Sequence, residues 1–484
     1  MIKKALFVLI LFVLISPALQ QIFGIVAIKP LHGSFTLPPK PTLEKLNWQE
    51  WFSGGFQNDF NSRLEENVGF RNYLIRILYQ LDFSLFKEVH TVGVVVGKDN
   101  YLYENSYINA YNGTDFSGTH RIVDQSHKIQ LVKDKLHETG KDLLILFAPG
   151  KGSFYPEYIP EKFLGDTDDT TNYAYYVRCL NEFDVPLLDF KDYFTRIKSE
   201  SPYALFPKAG IHWSTYGAAL VSDSLVGYLN SHYGLRLPKF EYHAQPVNDS
   251  LKYTGFDYDI GVGLNILSYI NQPDLAIVDI DYPDIEDSLR PDVLVIGDSY
   301  FINLIRAGFP EAYFDNYQFW YYNRTIYPRP PDSSNNLKDY DTMKEIAKYD
   351  IILIIATDAN LWKFPFGIID ELYNRMVMED SSDKVKYYRD LYVDHLPLIF
   401  PENSQRFDRI KALLNKQGTI NEVHGSYLDY LDRDRFSLSL KLIKYQSGLY
   451  RMAVSKAKTR QISVGEMINL DARWMVNDEK RYRY

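Results

Sequence analysis

Four apolar residues in succession, Val293 to Ile296, run without alternation into Gly297-Asp298-Ser299-Tyr300 and on into the helix-compatible stretch Phe301 to Ile305. A strand that is apolar on both faces must be covered on both faces, which is the condition of a parallel sheet in an α/β protein. The glycine permits a tight exit from the strand. The serine then stands at the carboxyl end of the strand, where open α/β sheets bind ligands, and at a helix N-terminus whose amides favour negative charge. That placement predicts a nucleophile at Ser299, with Asp298 and Tyr300 as its immediate supports. Read only locally, the same tetrapeptide is a helix cap, a common use of Asp or Ser before a helix.

A serine nucleophile needs a base within hydrogen-bond reach, most often a histidine. The chain has ten histidines. His120, His127 and His137 lie on or beside a charged helical stretch, and His32 follows the N-terminal apolar run. His90, His232, His243, His395 and His424 stand in polar or aromatic surroundings that open no apolar helix. His212 differs. It sits beside Trp213 in Ala209 to Ala218, a loop with Gly210 and Gly217 near its ends that leads into the apolar stretch Ala218 to Leu229. His212 is therefore the candidate base and Trp213 its packing support, the alternative being a buried histidine that packs and caps a helix.

Other stretches complete an α/β pattern. Leu143 to Phe147, Val185 to Phe190 and Asp350 to Thr357 read as buried strands, and Arg121 to Thr139 as an amphipathic helix ended by Gly140. Lys151 follows the first of these strands and is a candidate for facing a carboxylate or phosphate-like group, or else a solvated loop lysine. Asn360 follows the last and is a candidate oxyanion donor beside the Ser299 amide, with an Asx turn as its local alternative. Val92 to Val96 and Tyr101 to Tyr103 flank Gly97-Lys98-Asp99-Asn100 as a hairpin. Prolines 30, 38, 39 and 41 read as a connector, and Asn47 to Gln80 repeats apolar residues at helical spacing. Leu237 to Ser268 shows no period and reads as an irregular insertion. Phe319 to Tyr327 reads as an aromatic strand or rim loop, and Pro328 to Asn336 as a break.

The chain opens with Lys3 and Lys4, and then carries no charge from Ala5 to Ile28. That length spans a bilayer. Ser16-Pro17-Ala18 also fits a signal-peptide cleavage site, and the uncleaved anchor is the reading preferred here. Lysines before the span and a long domain after it place the domain outside the cytoplasm. The single cysteine, Cys179, cannot form an internal disulfide and reads as a small buried apolar residue. A net charge of −9 argues against a nucleic-acid partner. The 39 tyrosines and 6 tryptophans suit a carbohydrate groove, although composition alone accounts for most of them. Beyond about residue 380 the chain turns charged and Tyr-rich, and Ser463 and Glu466 have capping-box spacing.

Strand-GDSY, the HW loop and Phe147 to Pro160 (FAPGKGSFYPEYIP), together with Trp51 to Arg76 and Val94 to Tyr103, resemble the AlgJ/AlgX group of SGNH-hydrolase-like proteins. That group O-acetylates exported polysaccharides such as alginate, and the resemblance covers roughly residues 45 to 370. It implies an SGNH-like parallel sheet flanked by helices, with the His loop ahead of the Ser block as in a circular permutation. It also implies Ser299 as nucleophile, His212 as base, a polysaccharide substrate and a membrane-bound O-acyltransferase partner, with neither cofactor nor metal. The family's usual Asp-x-His pattern is broken, since Gly210 stands at the Asp position. Three outcomes follow for the imidazole: a carboxylate from elsewhere, for which Asp189 at the end of Val185 to Phe190 is a candidate, a backbone carbonyl, or a dead site. The organisation expected is a membrane segment over 1–29, a helical segment with the hairpin over 30–110, the α/β domain over 111–378 and a helical appendage over 379–484. An acetylesterase using the same residues and a non-catalytic polysaccharide-binding protein are the alternatives to acyl transfer.

Overall fold

The computed structural model describes residues 2–33, 48–165, 170–247, 255–329, 334–378, 395–399, 405–415 and 447–481, with a few single positions between them. The connector prolines 38, 39 and 41 and positions 330–333 of the Pro-rich break lie outside the described residues. The chain divides into two compact units.

The first unit is Met1–Thr91 with Asp259–Ile270. It holds helices α1 (Ile2–Phe23), α2 (Trp48–Ser53), α3 (Gly55–Asn67) and α4 (Arg71–Phe86). α1 is long and apolar enough to cross a membrane. Its end is closed by Gln20, whose side chain both donates to the Val26 carbonyl at 2.7 Å and accepts from the Val26 N–H at 3.0 Å.

The second unit is Val92–Tyr258 with Asn271–Tyr484. It opens with a hairpin of β1 (Val94–Val96) and β2 (Leu102–Glu104), turned at Asp99 and Asn100, both at positive φ. Strands β3 (Asp142–Ala148), β4 (Leu187–Asp189), β7 (Val293–Gly297), β8 (Tyr317–Tyr321), β9 (Thr325–Tyr327) and β10 (Ile351–Thr357) form the central sheet in the order β4-β3-β10-β7-β8-β9. Five strands run parallel and β9 pairs antiparallel with β8. The fold is thus an α/β fold with a mixed sheet rather than a wholly parallel one. The cause is local: in the three-residue connection Tyr322 and Asn323 both take positive φ, and the Arg324 N–H closes the tight turn on the Tyr321 carbonyl.

Strands β7, β3 and β10 are buried almost throughout, as their unbroken apolar runs require. Their cover includes the helices Thr119–Glu138 and Asn172–Glu182, whose Ile122, Val132 and Leu180 share a core with Ile145, Ile296 and Ile354. Cys179 is in that core, where burial pushes its thiol up to about 12. The stretch read as irregular contains a strand after all: β5 (Glu241–Pro246) pairs antiparallel with β6 (Ala276–Asp281). Both are largely exposed, and β5 carries no apolar run of the kind that marks a buried strand. In the C-terminal part, Ser463 and Glu466 exchange the reciprocal bonds of a capping box at the start of the helix Val464–Arg481.

Candidate active site

Ser299 follows β7 and precedes the short helix Tyr300–Arg306. The turn that carries it is fixed by Asp298, whose side chain is fully buried. One carboxylate oxygen of Asp298 accepts the Tyr300 N–H at 3.1 Å. The other accepts the Thr357 N–H at 2.8 Å, the Thr357 hydroxyl at 2.9 Å and the Asn360 side-chain amide at 2.8 Å. A buried carboxylate is costly unless such donors surround it. Asp298 therefore ties the end of β7 to the end of the neighbouring β10. Gly297 is required where it stands, because a Cβ there would lie 2.4 Å from the Ile355 carbonyl oxygen. The turn between β8 and β9 joins the same corner through the Tyr322 N–H, which donates to the Gly297 carbonyl at 2.8 Å.

His212 Nε2 lies 2.8 Å from Ser299 Oγ. Its imidazole is buried between two rings, Phe256 at 4.3 Å and Tyr300 at 5.0 Å between centroids. The loop has no regular structure, so other groups must satisfy its backbone. The Lys208 carbonyl accepts from Lys151 Nζ at 2.7 Å and from the Leu102 N–H at 2.8 Å. Lys151 Nζ also donates to the Gly210 carbonyl at 2.8 Å, the Tyr300 hydroxyl to the Ile211 carbonyl at 2.9 Å, and Asn303 to the Trp213 carbonyl at 3.1 Å. Gln272 accepts the Ala209 N–H and donates to the Asp257 carbonyl, both at 3.0 Å. Ser214 caps the helix Thr215–Tyr233 that the loop opens, and Asp257 accepts from the Thr215 hydroxyl at 3.0 Å.

The structure thus brings Ser299, His212, Asp298, Tyr300 and Trp213 together, and gives three of the remaining candidates other tasks. Lys151 faces neither a ligand nor solvent. It is fully buried, its ammonium over the rings of Tyr101 and Tyr103 and bonded to two loop carbonyls. Asn360 is not an oxyanion donor, because its amide hydrogens go to Asp298 and to the Thr357 hydroxyl. Asp189 caps the helix Phe190–Ile197, accepting the Asp192 N–H at 3.0 Å and the Tyr173 hydroxyl at 2.7 Å, so its carboxylate is committed away from the imidazole. The Gly210 position is itself closed: a Cβ there would lie 2.1 Å from the Phe256 carbonyl oxygen and 2.7 Å from Pro207. A carboxylate cannot simply be restored at that place.

Several residues at the site carry no signal that sequence reading recognised. Phe256 and Gln272 lie in stretches without a motif and Asn303 in the helix after the serine, and only their placement explains them. Lys363 stands with its ammonium 3.9 Å from the Tyr322 ring centroid; burial pushes its pKa down while Asp298 opposes the shift. On the neighbouring strand ends, Asp358 accepts from the Ser153 hydroxyl and lies 3.8 Å from Lys191 Nζ. Burial raises the Asp358 carboxyl, and burial followed by the proximity of Asp358 pushes Asp115 up to about 8. Among the described residues no group of three or more His, Cys, Asp or Glu side chains is placed to hold a metal ion. A cavity of about 380 Å³ opens behind Phe256, lined in part by Thr215, Asp257, Asn303 and Arg306.

Residues 94–257 match the family model of the SGNH hydrolase-like domain of acetyltransferase AlgX. The match takes in the His212 loop and ends before the Ser299 strand. Among solved structures the chain is similar to the O-acetyltransferase domain of Pseudomonas putida AlgJ, at 18% identity and a TM-score of 0.39, over 58% of this chain and 99% of that one. It is also similar to Pseudomonas aeruginosa AlgX, at 14% identity and a TM-score of 0.36, over 58% of this chain and 66% of that one. No curated protein sequence matches the chain. By the family match, residues 94–257 carry an SGNH hydrolase-like domain of the acetyltransferase AlgX type.

Proposed function

We propose that the protein is an extracytoplasmic O-acetyltransferase that acetylates an exported polysaccharide through an acyl-enzyme on Ser299. The observation that carries this reading is the 2.8 Å approach of His212 Nε2 to Ser299 Oγ at the carboxyl end of the sheet, in a chain matched in part by an acetyltransferase domain. Ser299 Oγ attacks the carbonyl carbon of an acetyl ester or thioester donor, and its proton passes to His212 Nε2. The donor's leaving group departs with that proton. A sugar hydroxyl then gives its proton to His212 and attacks the seryl ester, and Ser299 Oγ leaves and takes the proton back. The Ser299 N–H is the candidate oxyanion donor. In the absence of an Asp two residues before the histidine, the ring pair Phe256 and Tyr300 and the gripped loop carbonyls hold the imidazole in place.

α1 is read as an uncleaved span. Lys3 and Lys4 in its first turn, ahead of its uncharged part, and the long domain after it put that domain outside the cytoplasm. An acetyl donor made inside the cell must then be carried across the bilayer, the task of a membrane-bound O-acyltransferase partner.

The test uses the purified protein with a model acetyl ester, with and without an oligosaccharide acceptor. Wild type is expected to gain the mass of one acetyl group on the peptide containing Ser299 and to pass it to the oligosaccharide. Ser299→Ala is expected to do neither, while its stability stays within about 1 kcal/mol of wild type, because one side-chain oxygen is removed. Acetate release at the same rate with or without oligosaccharide would identify an esterase. Retained transfer in Ser299→Ala would overturn the assignment.

A further inference from the structure

Helix α4 is built inside out. Leu74, Ile77, Leu78, Leu81 and Leu85 fall at helical spacing on one face and are 44 to 68% exposed. Asn72, Arg76 and Gln80 point the other way, beside the buried Phe83. Arg76 is buried and donates to the Lys29 carbonyl at 2.9 Å and the Pro30 carbonyl at 2.7 Å, with Asn72 adding a bond to Lys29 at 3.3 Å. Gln80 accepts the N–H groups of Leu267 and Ser268 at 3.1 and 2.9 Å. A helix that turns its hydrogen-bonding side inward and a row of large aliphatic side chains outward is shaped for an apolar medium rather than for water.

Its neighbours in the same unit say which medium. Lys29 and Pro30, the residues that Arg76 grips, come just after α1. Gly69, at the entry to α4, packs so closely on the last turns of α1 that a Cβ would lie 2.0 Å from the Pro17 carbonyl oxygen and 2.9 Å from Gln20. The start of α4 is thereby fastened at the end of α1, where a span leaves the hydrocarbon and where Gln20 and Gln21 interrupt the apolar run. With α1 across a bilayer, α4 is held at the depth of the lipid headgroups, its apolar side left exposed by the described residues.

We infer that α4 lies in the surface of the membrane that α1 spans, its Leu74–Leu85 face among the outer ends of the acyl chains, as a second and monotopic contact with lipid. This rests on the reading of α1 as an uncleaved span. The contact limits how the anchored chain tilts and turns, which a single span does not.

The full-length protein supplies its own test, because Cys179 is wholly buried and is the one cysteine of the chain. Leu78→Cys and Val13→Cys variants are labelled with an environment-sensitive fluorophore, with unsubstituted protein as the background. They are then reconstituted in phosphatidylethanolamine–phosphatidylglycerol vesicles containing lipids spin-labelled at shallow or deep positions. The label at position 78 is expected to be quenched several-fold more by shallow than by deep spin labels and to be protected from aqueous iodide, while the label at position 13 is quenched by the deep ones. Iodide access at 78 with lipid quenching at 13 would keep the span and overturn the surface contact. Shielding of 78 from both iodide and lipid would overturn it too, showing that another copy, another protein or the 34–47 segment covers the face. A label at 13 that no lipid quenches removes the span, and the inference falls with it.

Discussion

Ser299 stands on a turn defined by its own strand and by the strand beside it, whereas His212 stands in a loop whose shape is imposed by side chains from many other places. Asp298, adjacent to the serine, gathers its donors from Tyr300 and from Thr357 and Asn360 at the end of β10. In the His212 loop the carbonyls of Lys208, Gly210, Ile211 and Trp213 are each held by a side chain, from Lys151, Tyr300 or Asn303. A sheet edge is stiff, and one buried carboxylate is enough to finish its turn. A loop has no ladder to lean on, so its rigidity is assembled bond by bond, with the β1–β2 hairpin supplying the Leu102 N–H and the aromatic floor under Lys151. The lesson is that damage to the histidine half should travel from distant residues, and damage to the serine half should stay local.

The largest expected effect comes from Gly210→Asp. A Cβ at this position meets the Phe256 carbonyl oxygen at 2.1 Å, so the segment that carries Phe256, and with it one wall of the imidazole, must move. Loss of imidazole orientation costs on the order of 10⁴ in turnover where it has been isolated. Acyl transfer should therefore fall by a factor of that order, with a stability loss on the order of 4 kcal/mol. Transfer that rises on this substitution would mean that the loop can open to admit an orienting acid, and the contrast between a rigid loop and a rigid sheet edge would collapse.

Lys151→Met comes next. Methionine fills the space over Tyr101 and Tyr103 but leaves the carbonyl of Gly210 without its lysine donor and that of Lys208 with only the Leu102 N–H. An unpaired buried acceptor costs about 1–3 kcal/mol, so a loss of about 1–3 kcal/mol is expected. A shift of about 1 Å in the base is worth on the order of 10²-fold in rate. The signature of positioning is a fall in kcat with KM nearly unchanged, measured on the acetyl ester. A change confined to KM would return Lys151 to the role of a ligand contact.

This contrast also explains what was legible in the sequence. Val293 to Ile296 announce a buried strand because each residue is apolar, and the glycine after them announces the exit, so the Ser299 turn could be located from its own few residues. The His212 loop could be located but not explained. Lys151 looks like a loop lysine, since nothing in its neighbours reveals that it ends 2.8 Å from a carbonyl 59 residues away. Gln272 and Asn303 are invisible for the same reason: a buried amide gripping a backbone has no local pattern. β5 escaped because it exposes most of its residues, which removes the apolar run by which interior strands are found. Asn360 and Asp189 were read by position on the rim alone, and position does not say which donors a side chain has already spent.

The smallest effect, and the sharpest test of locality, belongs to Asp298→Asn. All four partners of the Asp298 carboxylate are donors: the Tyr300 N–H on one oxygen, and the Thr357 N–H, the Thr357 hydroxyl and the Asn360 amide on the other. Asparagine keeps the shape and one acceptor but turns the second oxygen into a donor. Its carbonyl will take the three-donor side, where more bonds are saved, leaving its NH₂ against the N–H of Tyr300. One lost bond and one donor–donor contact set the cost at about 1–3 kcal/mol. Because Ser299 lies between the two tethered residues, kcat should fall about tenfold, the factor that corresponds to about 1.4 kcal/mol at the barrier. The Lys151 side of the His212 loop should be unaffected, which can be read by whether Lys151→Met costs the same in the Asp298→Asn background as alone. Additive stability losses would keep the two halves independent. Strong coupling between substitutions at Lys151 and Asp298 would show that the serine turn and the histidine loop form one network, and would end the comparison drawn between them.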